Sequence, residues 1–163
     1  MKIKSFMTMT LAAVAFVFSM GSCSSSDDEP EVAVAAQVAG SYSGNEVVVV
    51  MGEESSNETK TYVLAKSSDA SVDMTIPEMG MGGHMTIPAL AVKNIPLTKS
   101  GNTITGKFDK YEGVVTNAAG DEKNYTISNL ALVSSDKTVA VTFSLKYGNM
   151  PMSMETTFTG TKK

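Results

Sequence analysis

Few side chains in this sequence could carry out chemistry. His84 is the only histidine, Cys23 is the only cysteine, and no arginine is present. A nucleophile or general base needs a partner that orients and activates it, and no carboxylate near His84 in the sequence is closer than Glu78. A distant aspartate could still approach His84 in the fold. We expect no enzymatic activity and no cofactor.

Methionine is the other residue type here whose side chain could bind a metal ion. Three methionines surround the histidine, and thioethers together with one imidazole are soft ligands that can select Cu(I). Methionine is also an adaptable filler of apolar interiors and of loosely specific binding surfaces. The sequence favours the filler interpretation and leaves copper binding as a minority hypothesis, for which the ligands would be Met79, Met81, His84 and Met85.

The first 22 residues have the order of a secretory signal. Lys2 and Lys4 precede an apolar run over residues 6–20, and the small residues Gly21 and Ser22 follow it. The run is shorter than the roughly 20 apolar residues that a spanning helix needs. Residues 1–22 are therefore predicted to be a cleaved signal peptide.

The residues around Cys23 resemble a bacterial lipobox. The tetrapeptide MGSC (20–23) has methionine where leucine is most common, and the resemblance implies that Cys23 becomes the lipid-modified N-terminus. A single cysteine has no partner for an intramolecular disulfide. Residues 23–37 are rich in serine, acids and small residues, so we predict a disordered tether there.

An acidic cluster follows the predicted lipid site. Asp27, Asp28 and Glu29 resemble the export signal of Bacteroidetes lipoproteins, which implies a lipid anchor in the outer membrane and display on the cell surface. The alternative is that these acids only solvate the tether. The chain has a net charge of −4, which makes nucleic acid a poor partner.

Residues 38–163 are predicted to form a single all-β domain. Short β-rich runs recur between turn residues, which is typical of a sandwich or barrel. Prolines 77, 88 and 96 should mark strand ends, bulges or an incompletely closed edge, and a parity switch predicts a bulge near Asn129. The predicted strands are 39–51, 58–66, 70–76, 85–93, 103–109, 111–116, 123–132, 138–147 and 152–161.

The last two predicted strands offer apolar faces to one interior. Their apolar residues share one parity along each strand, and a short turn at Gly148 and Asn149 makes the strands antiparallel neighbours. A small apolar ligand is expected to enter between this wall and the loop at 80–84. The predicted ligand-binding residues are Val141, Phe143, Leu145, Met150, Met152, Met154 and Phe158.

Four segments in order resemble the calycin-like β-barrel domains of Bacteroidetes lipoproteins. They are GSYSG (40–44), NIPLT (94–98), GNMPM (148–152) and FTGTK (158–162), and the resemblance covers residues 38–162. It implies an antiparallel barrel of about eight strands, lipocalin-like in shape, without an established activity.

Two functions remain open from the sequence. The favoured one is a non-enzymatic, lipid-anchored envelope protein whose barrel holds a small apolar ligand. In the alternative, the barrel is filled by its own side chains, as barrels of this size can be, and its loops or outer face bind another envelope protein or a glycan.

Overall fold

The computed structural model describes residues 32–81 and 85–163. The predicted signal peptide (1–22), Cys23 and the acidic cluster at 27–29 lie outside the described residues. Within the described ranges, no helix is both long enough and apolar enough to cross a membrane.

Strands make up most of the described chain. A short helix, α1 (Val34–Val38), comes first. Ten strands follow among the described residues: β1 (Gly40–Val50), β2 (Glu53–Ser68), β3 (Ser71–Ile76), β4 (Met79–Met81), β5 (Met85–Ile87), β6 (Leu90–Ser100), β7 (Thr103–Thr116), β8 (Glu122–Ser135), β9 (Thr138–Tyr147) and β10 (Met154–Lys162).

Eight of these strands close into one antiparallel barrel. Their order around the barrel is β1-β10-β9-β8-β7-β6-β3-β2, and β2 pairs back to β1. The remaining two strands, β4 and β5, pair only with each other. The predicted all-β, eight-stranded antiparallel barrel is therefore confirmed.

Helix α1 closes one end of the barrel. Ala35 and Val38 are fully buried, and the Tyr42 hydroxyl donates a hydrogen bond of 2.7 Å to the Val38 carbonyl. The prediction of a disordered tether over 23–37 is thus wrong for residues 34–37, because the apolar side of this short segment finds a surface to cover. The chain enters the barrel at this end. We call the opposite end, where the β1–β2, β7–β8 and β9–β10 turns lie, the mouth.

Side chains fill the barrel interior. The rings of Tyr62 and Phe158 stack with their centroids 4.0 Å apart. Two inward-facing glycines lie under aromatic rings: a Cβ on Gly113 would collide with the Tyr125 ring, and one on Gly160 would collide with the Phe158 ring. Because glycine has no side chain, these two positions leave space that the rings occupy, and the interior is close-packed there.

Within strands β9 and β10, the residues that were predicted to face the interior are buried. Val141, Phe143 and Leu145 are at most 2% exposed, and Met154 and Phe158 are fully buried. Met150 and Met152 instead lie in the β9–β10 connection and are only partly buried. The predicted strand start at 152 is therefore wrong, and β10 begins after Pro151 and Ser153.

Several other strand boundaries differ from the prediction. The predicted strands 103–109 and 111–116 are one strand, β7, and the predicted strand 85–93 is divided by Pro88 between β5 and β6. Strand β2 begins at Glu53 instead of at the predicted residue 58, because Met51 and Gly52 alone make the turn. Their φ angles of 54° and 86° suit a two-residue hairpin turn of type I′.

The predicted bulge at Asn129 is confirmed. Asn129 has a φ of 53°, and the pairing of β8 with β9 shifts between Ser128 and Ala131. The extra residue changes the parity of β8, so that Ile127 and Leu130 both face the interior although their numbers differ in parity.

Two prolines interrupt what is otherwise one long hairpin. Strands β3 and β6 pair through Ile76 opposite Leu90, and the same register continues three residues later with Met79 opposite Ile87. Pro77 and Pro88 lie in the interruption and have no N–H to donate to the ladder. We call the detached end of this hairpin, β4 and β5, the tip hairpin. The role predicted for these two prolines is confirmed.

Candidate functional site

Two side chains from opposite walls hold the base of the tip hairpin. Lys60 on β2 donates from Nζ to the Glu78 carbonyl at 2.9 Å. The Tyr125 hydroxyl on β8 donates to the Ala91 carbonyl at 2.5 Å. The first contact joins the residue before β4 to β2, and the second joins a residue after β5 to β8. Neither pair of strands shares backbone hydrogen bonds, so these side chains keep the tip hairpin at the mouth.

A groove of about 610 Å³ opens at the mouth beside the tip hairpin. We call it the mouth groove. It lies between β5 and the β7–β8 and β9–β10 turns, and the residues that line it include Met85, Thr86, Asn117, Asn124, Tyr147, Asn149 and Met150.

The mouth groove combines apolar and hydrogen-bonding side chains. Asn117 is committed to its own turn, because its Oδ1 accepts from the backbone N–H groups of Ala119 (3.0 Å) and Asp121 (2.8 Å). Asn124 and Asn149 are exposed. Burial raises the pKa of Tyr147, so its phenol stays neutral at physiological pH. The groove can therefore offer amides and a neutral ring to a ligand.

A second groove, of about 350 Å³, lies on the other side of the tip hairpin. We call it the edge groove. Residues 55–58 of β2 form one wall, and Gly80 and Met81 of β4 form the other together with Met85 and Thr86 of β5, which also line the mouth groove. The tip hairpin therefore has a groove along each of its long sides.

A buried carboxylate lies in the barrel interior. Glu46 is 1% exposed, and the Tyr62 hydroxyl donates to its Oε2 at 2.6 Å. Burial raises the pKa of Glu46, while the Tyr62 hydrogen bond and the nearby Lys60 oppose that rise and Glu58 adds to it. The pKa of Tyr62 is also raised, chiefly by burial. Thr156 Oγ1 is likewise buried and has no hydrogen-bond partner among the described residues.

Sequence reasoning missed Glu46. The available signal was parity, because Tyr42, Glu46 and Val48 share one parity along β1 and all three are buried. A glutamate in an apolar alternation was not recognised as inward-facing.

The structure does not connect the predicted interior ligand residues with a groove. Of five grooves on the surface of the described residues, none is lined by Val141, Phe143, Leu145, Met154 or Phe158. Met150 alone of the predicted set lines the mouth groove. Ligand binding by these residues stays a prediction.

A family model described as the calycin-like β-barrel domain matches residues 38–161. The chain belongs to the calycin-like β-barrel family. The barrel order and the resemblance found in the sequence agree with this assignment.

Comparison with solved structures finds a similar fold for this calycin-like barrel. A crystal structure of a "putative outer membrane protein" from Bacteroides fragilis aligns with a TM-score of 0.64 and 20% sequence identity. The alignment covers 80% of this chain and 53% of the other, so this chain spans about half of that protein. No curated protein matches the chain.

The predicted copper ligands of this calycin-like barrel lie in and around the tip hairpin. Met79 and Met81 are buried, whereas Met85, which pairs with Met81, is 51% exposed. His84 lies outside the described residues. Among those described, no three His, Cys, Asp or Glu side chains gather as a metal site. Copper binding stays a minority hypothesis.

We expect Glu46→Gln to reduce the pH dependence of stability. Because burial raises the pKa of Glu46 above its ordinary value of 4.5, the folded state holds this proton more tightly than the unfolded state. The resulting stabilisation is complete below about pH 4.5 and is lost as the pH rises through the folded pKa. Glutamine can still accept the Tyr62 hydrogen bond, but it does not ionise.

Urea denaturation from about pH 4 to about pH 8 measures this effect. The unfolding free energy of the variant should fall less over this range than that of the wild type, and the exposed control Glu112→Gln should follow the wild type. Parallel pH profiles for Glu46→Gln and the wild type would contradict the assignment.

Proposed function

We propose that this protein is a non-enzymatic, surface-displayed lipoprotein whose mouth groove binds a small neutral ligand with both apolar and hydrogen-bonding faces. A neutral oligosaccharide is the ligand class that we would test first. The observation that carries the proposal is the position of the groove, which opens at the end of the barrel opposite to the one where the chain enters.

The tether would join the barrel at the end away from the groove. Lipid on Cys23 would hold the start of the tether at the outer membrane, and residues 24–33 could span at most roughly 33 Å. The chain enters the barrel at its α1 end. The mouth is the opposite end of the barrel, where a soluble ligand can arrive without passing the point of attachment.

The filled interior favours binding at the mouth. A ligand inside the barrel would have to displace side chains such as Tyr62 and Phe158, which stack on each other. A ligand in the mouth groove displaces only solvent. Tyr147, Met85 and Met150 provide apolar surface there, and the exposed amides of Asn124 and Asn149 provide donors and acceptors.

The side chains that line the mouth groove support binding rather than catalysis. Its ionisable residues are Glu122, Lys123 and Tyr147, and the nearby Asp121 lies 3.8 Å from Lys123. Among the described lining residues, no nucleophile is hydrogen-bonded to a base, which is the arrangement that activates a nucleophile.

Isothermal titration calorimetry with neutral oligosaccharides tests the binding proposal. The panel should contain hexasaccharides of α-glucan, β-glucan, xylan and mannan, with oleate as an apolar probe. At least one oligosaccharide should bind, and Asn124→Ala and Asn149→Ala should each weaken it by roughly two- to tenfold, the value of one hydrogen bond.

The control for this titration is Asn102→Ala, which alters an exposed amide in the β6–β7 turn at the other end of the barrel. This variant should bind like the wild type. If oleate binds and shifts the amide resonances of Val141, Phe143 and Leu145 while no oligosaccharide binds, the ligand is apolar and the mouth-groove proposal is wrong.

The anchor is tested separately in cells. Mass spectrometry of the mature protein should find an acylated Cys23 at its N-terminus, and Cys23→Ala should leave the membrane fraction. Protease added to intact cells should degrade the wild-type protein, whereas replacing Asp27, Asp28 and Glu29 with alanine should protect it. Equal protection of both proteins would show that this acidic cluster does not direct surface display.

A further inference from the structure

The part of β2 nearer the mouth has one unpaired edge. Residues Glu53–Leu64 pair with β1 on one side. On the other side, pairing with β3 begins only at Val63. From Glu53 to Thr61, the backbone groups on that side therefore have no neighbouring strand in the described barrel. Unpaired strand edges are templates for the addition of another strand.

The chain's own β4 runs along this edge without pairing with it. In the pairing of β2 with β3, Val63 lies opposite Thr75. If this register continued toward the mouth, Glu58 would lie opposite Gly80. Lys60 would then lie opposite Glu78. The side-chain contacts agree with this alignment, because Lys60 reaches the Glu78 carbonyl and a Cβ on Gly80 would lie 4.0 Å from Glu58 Oε1. The edge groove of about 350 Å³ occupies the place where the ladder is missing.

Pro77 lies where the ladder stops. In the continued register it would lie opposite Thr61, and proline has no N–H to donate. Gly80, in the centre of β4, presents no side chain toward the groove, so another backbone can approach β4 closely. The edge groove therefore has a backbone edge on each side.

The charge around the edge groove is acidic. Glu53, Glu54, Glu58 and Glu78 lie on β2 or directly before β4. Two cations lie near this stretch: Lys60 pairs with Glu58 at 2.7 Å, and Lys163 donates from Nζ to Thr61 Oγ1 at 3.2 Å, so the acids still outnumber the cations. A basic segment complements this surface. A second copy of the chain would bring the same acidic edge against it, and like charges would repel.

We propose that the edge groove binds an extended, lysine- or arginine-bearing segment of another protein, which adds as a strand to the free edge of β2. The segment takes the place in the ladder that β4 would occupy in the continued register, and it lies in the groove between β2 and β4. The edge groove shares only Met85 and Thr86 with the mouth groove, and the inference does not depend on the identity of the ligand bound in the mouth groove.

A synthetic peptide is a direct probe of this interaction. The probe is an acetylated and amidated peptide of about nine residues in which lysine alternates with threonine and valine. Two control peptides separate the contributions: one has glutamate in place of lysine, and the other keeps lysine but carries backbone N-methyl groups that prevent strand pairing. Binding is measured by fluorescence anisotropy on the mature protein with the single substitution Cys23→Ser.

The lysine peptide should bind, and both control peptides should bind at least roughly tenfold more weakly. Charge reversal at Glu54→Lys/Glu58→Lys should weaken binding by a similar factor. The matched control, Asp109→Lys/Glu112→Lys, makes the same charge change on β7 and should leave binding unchanged. Equal binding of the N-methylated peptide would show attraction by charge alone and would overturn strand addition.

A disulfide between β2 and β4 provides an independent test. Glu58→Cys/Gly80→Cys joins two positions that lie opposite each other in the continued register, and in the oxidised protein it should close the groove and abolish binding. Reduction should restore binding in the same sample, which controls for folding. If the oxidised protein binds the peptide as well as the reduced protein does, the segment does not enter the edge groove and the proposal is wrong.

Discussion

The missing N–H groups of Pro77 and Pro88 are the constraint on which the mouth of this barrel depends. One hairpin register runs from Ile76 opposite Leu90 to Met81 opposite Met85, and the prolines interrupt it where a ladder would otherwise be continuous. The tip hairpin is therefore separate from the wall, and side-chain contacts from Lys60 and Tyr125 hold its base. Both grooves follow from this detachment, because one lies between the tip hairpin and β2 and the other between the tip hairpin and the far turns.

The packing of the interior is the reason that we propose binding at the mouth. Aromatic rings cover Gly113 and Gly160, and the Tyr62 ring stacks on Phe158 while its hydroxyl binds the buried Glu46. An apolar ligand inside the barrel would have to break this packing and displace a hydrogen-bonded carboxylate. The tip hairpin forms no backbone ladder with the neighbouring strands of the barrel. A shift of the tip hairpin would therefore break fewer backbone hydrogen bonds than a shift of a barrel strand. In the proposed function, the barrel would act as a rigid support for the two grooves.

Strict alternation and turn chemistry made much of the fold predictable from the sequence. The parity of β9 placed Val141, Phe143 and Leu145 inside, and the switch at Asn129 indicated a bulge that the structure contains. The prediction failed where tertiary contacts override local composition. Helix α1 forms because the barrel end offers Ala35 and Val38 a surface to cover, and β2 extends to Glu53 because β1 supplies a partner for a polar segment. Neither groove was predictable as such, since each needs the three-dimensional position of the tip hairpin.

Restoring the missing donors tests the central claim most directly. In Pro77→Thr/Pro88→Thr both positions can donate to a ladder, and threonine suits a strand. Amide hydrogen exchange followed by NMR should show slower exchange for residues 57–61 and 79–81 than in the wild type, because the tip hairpin joins the wall of the barrel. Exchange in β8 and β9 should be unchanged. If residues 57–61 and 79–81 exchange as fast as in the wild type, the prolines are not what keeps the tip hairpin apart, and the account given for both grooves is wrong.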